Sequence, residues 1–144
     1  MRAVVQRVTS ASVAVGEAVV GECGRGLLIL VGAAAGDEAK DADALAVKVA
    51  RLRIFENEGG KFDHSIVDVG GEALVVSQFT LIADTSRGNR PSFSNAAQHE
   101  HARSLIERFC ATLAAQGVAV ATGTFGARMS VALVNDGPVT IVLD

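Results

Sequence analysis

The segment Gly26–Val31 (GLLILV) constrains this chain more than any other. It is a short, unbroken apolar run bounded by glycines, which reads as a strand covered on both faces, so protein must lie on either side of it. Even its extension through Ala35 (GLLILVGAAA) falls far short of the ~20 residues that a spanning helix needs. Other segments alternate. Ala3–Val8 and Ser12–Val20 read as strands broken around Thr9 and Gly16, Leu52–Phe55 returns to strand, and Ala73–Phe79 (ALVVSQF) reads as a central strand. Near the C-terminus Met129, Val131 and Leu133 face one way and Arg128 and Ser130 the other. The turn Asn135-Asp136-Gly137-Pro138 leads into a last strand, Val139–Leu143. Two helices are predicted. Asp37 caps one that carries Ala42, Leu45, Ala46 and Val49, and Ser94 opens a longer one that carries Ala102, Leu105, Ile106, Phe109 and Leu113 and stops at Gly117. Turns are expected at Asn57–Lys61 and Gly70-Gly71, and a polar loop at Ala83–Ser92. The expected fold is α+β: one domain over 1–144, with a mostly antiparallel, barrel-like sheet core and two main helices.

Composition narrows the function classes. A chain of 144 residues buries roughly 70% of its unfolded surface, so a core forms without staples. With 49% hydrophobic residues the chain is not disordered, and two cysteines, Cys23 and Cys110, make no disulfide scaffold. A mean hydropathy of +0.35 is high for a small monomer and points to self-association. The alternating start, MRAVVQRVTS, is no export signal, and lone thiols suit a reducing compartment, so the cytoplasm is expected, with no membrane partner. A net charge of −3, no like-charge block, and no Trp or Tyr argue against wrapping a duplex or stacking a run of single-stranded bases. No phosphate loop, dinucleotide fingerprint, CxxC or zinc-spaced histidine pair occurs, so neither cofactor nor metal is expected. His99 and His101, two apart on a helix, point to different faces and read as ordinary helix residues, while His64 sits in a loop beside Asp63. Cys110 reads as core. Cys23 has no cationic neighbour in sequence to activate it.

Taken singly, Ser77, Gln78 and Thr80 read as a strand end, Gly137-Pro138 as an ordinary turn, and Arg87, Gly88 and Arg90 as solvated loop. Ser77 lacks the GxSxG elbow of a serine hydrolase. Two blocks change that weighing: Ser77-Gln78-Phe79-Thr80-Leu81 (SQFTL) and Asn135-Asp136-Gly137-Pro138-Val139-Thr140 (NDGPVT). Together they resemble the paired signature of the D-aminoacyl-tRNA deacylases. Further matches run the length of the chain: Gln6-Arg7-Val8, Ala11-Ser12-Val13, Arg53-Ile54-Phe55, Val75-Val76, Arg87–Phe93 (RGNRPSF) and Thr122–Ala127. One departure is Phe62-Asp63-His64-Ser65, where the family more often carries Met-Asn after Gly-Lys.

The resemblance implies an obligate homodimer with two active sites at the subunit interface. Gly137-Pro138 would adopt a cis peptide and project its carbonyl oxygens into the partner's site, with Asn135, Val139 and Thr140 as neighbours on the substrate. An L-side chain would collide with those carbonyls; a D-side chain points away, and glycine, including glycyl-tRNA mischarged on tRNA-Ala, also fits. The implied reaction is hydrolysis of the ester joining a D-amino acid to the terminal adenosine of tRNA. Backbone N–H groups near Phe79 and Thr80 are the candidate oxyanion donors, Ser77 and Gln78 shape the site, and the ribose 2′-OH assists. Thr80 as a covalent nucleophile is the alternative, although no base lies near it in sequence. Arg87, Arg90 and Lys61 are candidates for phosphates near the CCA end. Two other readings stay open: a nucleic-acid-binding module on the same fold that has lost its chemistry, and a hydrolase of small D-aminoacyl esters or peptides.

Overall fold

The glycine-bounded apolar run becomes a strand with protein on both faces, as its composition requires. The computed structural model describes all residues, Met1–Asp144. In chain order the elements are β1 (Arg2–Val15), β2 (Ala18–Cys23), β3 (Gly26–Gly32), α1 (Ala39–Arg51), β4 (Phe55–Glu56), β5 (Phe62–His64), β6 (Glu72–Ser77), a 3-10 turn (Phe79–Ile82), α2 (His99–Ala115), β7 (Ala119–Thr122) and β8 (Ser130–Leu143). Along one edge β1 pairs antiparallel with β8; along the other its first half pairs with β3 and its second half with β2. From β3 the sheet continues parallel through β6 to β7. It is therefore a mixed sheet, with a parallel core flanked by antiparallel strands.

The sheet curls until β2 meets β7. The two backbones are so close that a Cβ on Gly21 would lie 2.3 Å from the Thr122 carbonyl oxygen. This nearly closed barrel encloses Val8, Ala11, Val13, Cys23, Leu28, Leu74 and Val76. Alternate residues of the same strands, Leu27, Ile29, Ala73 and Val75, face outward and are covered by Ala42, Ala46 and Val49 of α1 and Leu105, Phe109 and Leu113 of α2. Gly26 seats β3 against β6: a Cβ there would fall 1.7 Å from the Glu72 carbonyl oxygen, so only glycine fits.

Several elements differ from the sequence reading. Thr9 does not break the first strand; β1 runs through it with a register shift between Val8 and Ser10 while its pairing passes from β3 to β2. Asp37 does not cap α1, because its carboxylate is held by the Met1 ammonium (2.7 Å) and accepts from the Ala34 amide (2.7 Å). The cap passes to Glu38, whose amide donates to Asp41 Oδ2 at 2.8 Å. Helix α2 begins at His99, not Ser94: Ser94 and Asn95 form a turn, and Ala97 N donates to Ala33 O and Ala35 N to Asn95 O, which ties Ala96 in a bridge to Ala34. Only Phe55 of the Leu52–Phe55 segment is in a strand. Asn135–Pro138 is not a turn that precedes a separate last strand. It lies inside β8, where Val8 pairs with Asn135 and Gln6 with Thr140, so Asp136–Val139 bulge out opposite Arg7.

The helices are joined at the surface by Asp43, which accepts from Arg108 Nε (2.7 Å) and Nη2 (2.8 Å) and from Thr112 Oγ1 (2.6 Å). Those bonds, Arg108's foremost, lower the Asp43 carboxyl to about 2. A depressed folded-state pKa contributes stability above the unfolded value, near 4, that is lost as pH falls toward 2. Asp43→Asn is expected to lower the urea midpoint at pH 7, and the gap to the parent is expected to shrink as pH falls from about 4 toward 2; a gap that stays constant over that range would show that the carboxylate is not its source.

Candidate active site

The three parallel strands end together at Gly32, Ser77 and Thr122, on the side where crevices form in sheets of this kind. A cavity of about 480 Å³ opens there, with Val76, Ala102 and Ile106 among its apolar lining and Phe79, Phe125, Met129 and Val131 around it. Ser77, Gln78 and Phe79 line it together, and Thr80 follows in the exposed 3-10 turn.

The turn leaves two donors free. Gln78 N donates to Val31 O, Leu81 N to Gln78 O and Ala83 N to Thr80 O, but the Phe79 and Thr80 amides have no acceptor within the protein. Phe79, 56% exposed, rests edge-on against Phe93 with centroids 5.0 Å apart. Thr80 Oγ1 accepts from Gln78 Nε2, and no histidine or carboxylate hydrogen-bonds the threonine. The one titratable side chain lining the cavity is His99, whose ring meets Phe125 edge-on at 4.8 Å. Sequence reasoning treated it as an ordinary helix residue; only the return of the 123–129 segment past the start of α2 brings Phe125 to it. His101 faces away and bonds the Asp37 carbonyl oxygen at 2.8 Å. Cys23 lies in the barrel interior. Cys110 lines a neighbouring cavity, and burial raises its thiol to about 11, which keeps it protonated and inert. No three His, Cys, Asp or Glu side chains converge as a metal-ligand set.

The second block lies elsewhere on the protomer. Gly137 and Pro138 are exposed, their peptide is cis, and neither lines the 480 Å³ cavity. The segment is braced from both sides. Asn135 Oδ1 accepts from Val139 N at 2.8 Å, and Asn135 Nδ2 donates to Thr140 Oγ1 at 3.1 Å. Arg7, its side chain only 6% exposed, donates from Nε to Asp136 O (3.1 Å) and from Nη1 to Ile54 O (2.8 Å). Its charge is met by Glu56 and Asp136 carboxylates, each at 3.4 Å, and the guanidinium sits 5.7 Å from the Phe62 ring centroid. Gly137 has φ +138, and a Cβ there would come within 2.7 Å of Val139 Cγ2, so the position is closed to other residues. The Phe62 departure from the family pattern thus falls beside this segment, not beside Ser77.

The three candidate phosphate contacts divide between the two regions. Arg87 and Arg90 are exposed in a loop closed by the Asp84–Ser92 bridge, whose base reaches Phe79 through Phe93. Lys61 lies in the β4–β5 turn, on the side of Phe62, Arg7 and Gly137.

The family profile described as D-Tyr-tRNA(Tyr) deacylase matches residues 4–144. A protein named D-aminoacyl-tRNA deacylase from Roseiflexus sp. (strain RS-1) is 63% identical over 144 residues, covering 100% of this chain and 93% of that protein. One of the same name from Ruegeria pomeroyi (strain ATCC 700808 / DSM 15171 / DSS-3) is 60% identical, covering 100% of this chain and 99% of that protein. Among solved structures, one of a c-Myc DNA Unwinding Element Binding Protein superposes with a TM-score of 0.93 at 41% identity, covering 100% of this chain and 98% of that one. A profile match over nearly the whole chain, with relatives of 60% identity or more along its full length, establishes that the chain belongs to the D-Tyr-tRNA(Tyr) deacylase family.

Proposed function

We propose that the protein hydrolyses the ester of D-aminoacyl-tRNA, and of glycyl-tRNA mischarged on tRNA-Ala, as a homodimer in the cytoplasm. The observation that carries this reading is the pair of consecutive, acceptor-free amides of Phe79 and Thr80 at the mouth of an apolar cavity. A carbonyl oxygen placed against them gains two donors as it becomes an oxyanion. One such donor contributes about 3 kcal/mol to an acyl-transfer transition state. Water adds to the ester carbonyl carbon, the bond to the ribose 3′-oxygen breaks, and that oxygen takes up a proton, leaving free amino acid and tRNA. In this reading Ser77 and Gln78 shape the site, and the neighbouring 2′-OH assists the proton transfer. Thr80 acts through its amide, because its hydroxyl is engaged with Gln78 and has no base beside it.

Stereochemical selection falls to Gly137 and Pro138 of the second protomer, whose carbonyl oxygens occupy the space that an L-side chain needs. Three observations support a partner. The segment is exposed and does not line its own protomer's cavity. Strand β8 pairs on one edge only. Val131, Val134 and Val142 stand exposed along it, and Val131 also lines the cavity. Asn135, Val139 and Thr140 then act on the substrate by holding that segment in place. Arg87 and Arg90 border the Phe79 rim and would meet the acceptor end from the same protomer, whereas Lys61 would reach it from the partner.

Deacylation of D-Tyr-tRNA, L-Tyr-tRNA and Gly-tRNA at matched concentration tests the reading. D-Tyr and Gly are expected to be released, with L-Tyr slower by roughly 100-fold, the effect of a clash of about 3 kcal/mol. Rapid loss of L-Tyr would overturn the carbonyl gate. Tight tRNA or DNA binding with no turnover would favour a retired nucleic-acid module, a reading that the name of the 41% identical structure keeps in view. Thr80→Ala is expected to keep kcat within about threefold, since the amide remains; abolition of activity in a folded dimer would return the hydroxyl to the mechanism. Arg7→Gln is expected to cost about 2 kcal/mol in urea unfolding, through the unpaired Ile54 and Asp136 carbonyls, and to speed hydrogen exchange at Val139. An unchanged Val139 rate would show that Arg7 does not brace the gate.

A further inference from the structure

A second cavity of about 340 Å³ adjoins the first. The two share Ser77, Ile106 and Phe125, and the second continues along α2 past Arg103, Glu107 and Cys110 to Thr122 and Gly123 at the end of β7. No lysine or arginine other than Arg103 lines either cavity. Its guanidinium lies over Phe125, which lines both cavities, with Cζ 4.9 Å from the ring centroid, and Arg103 itself lines the second. One donor, Nη2, bonds His99 Nε2 at 3.3 Å, and the Glu100 carboxylate stands off at 3.7 Å from Nε. Nη1 makes no hydrogen bond. The side chain is 41% exposed and held on one face by aromatic contact, with donors still free.

The substrate proposed above carries a single anionic group close to its reacting ester, the phosphodiester on the 5′-oxygen of the terminal adenosine. With the adenosine in the apolar cavity, that phosphate must leave through its rim. We infer that Arg103 binds the 5′-phosphate of the terminal adenosine, and that the second cavity is the channel by which the preceding nucleotide departs. The inference rests on the deacylase reading and deepens it. Phosphate is recognised near the ester by a guanidinium held against Phe125, while Arg87, Arg90 and Lys61, which line neither cavity, are left to contacts farther along the acceptor strand. Glu107, lining the same channel, disfavours a second anion there and so limits the contact to one phosphate.

The test uses two non-hydrolysable probes, 3′-deoxy-3′-(D-tyrosylamino)adenosine and its 5′-monophosphate, titrated against the full chain and against Arg103→Gln and Arg103→Lys. The parent protein is expected to bind the phosphorylated probe roughly tenfold more tightly, as a partly exposed charge-assisted contact would give. Arg103→Gln is expected to abolish that preference while binding the unphosphorylated probe as the parent does, and Arg103→Lys to retain part of it. With D-Tyr-tRNA as substrate, Arg103→Gln is expected to raise KM at unchanged kcat and to flatten the salt slope by about 0.7 to 0.9, the loss of one phosphate contact. Equal weakening of both probes in Arg103→Gln would show that Arg103 only shapes the wall, and no phosphate preference in the parent would overturn the assignment. If the parent binds neither probe, the deacylase reading itself fails.

Discussion

Strands β3 and β6 run parallel, and a parallel pair in the middle of a sheet has to be dry on both faces. The rest of the architecture serves that requirement. On one side α1 and α2 lie over Leu27, Ile29, Ala73 and Val75; on the other the sheet rolls onto itself around Leu28, Leu74 and Val76. Parallel strands must also end at the same side, and their common end is where the free amides, the apolar cavity and the second cavity beside Arg103 all lie. Fold and site are thus two results of one packing constraint.

The proposed chemistry is divided between two rigid supports. Phe79 and Thr80 hang from the end of β6, the best-buried strand after β3. Gly137 and Pro138 stand on an exposed bulge of β8, where Asn135 and Arg7 replace the ladder bonds lost over Asp136–Val139. Arg7 itself comes from β1, the strand that touches β2, β3 and β8, so the Gly137-Pro138 segment is referenced to the centre of the sheet and not to its own edge. A carbonyl that must obstruct an atom needs positional accuracy well under a bond length, which a loop anchored only at its ends does not provide.

Much of this was legible in the residues. The apolar run at Gly26, the alternation of β1 and β8 and the 3-and-4 spacing of both helices follow from local burial, which is written locally in sequence. The two site blocks were visible because each is contiguous. What could not be read were features made by distant pairing. The start of α2 at His99 depends on Ala33 claiming the backbone of Ala97, and the cap at Glu38 depends on Met1 occupying Asp37. The approach of His99 and Arg103 to Phe125 depends on a connection that passes across the helix after β7. Nor does the sequence state that the two blocks lie apart on the protomer.

The barrel is solid. Seven apolar side chains, two of them only Ala11 and Cys23, fill it, and glycines at positions 21 and 26 let its walls close to backbone contact. Barrels that carry ligands inside them spend their interior on recognition. Here the interior is given over to rigidity, and every group able to touch a substrate is left on the outer surface or at a strand end. New specificity on this scaffold is therefore available through its rim loops and its helix flank, with the interior held constant.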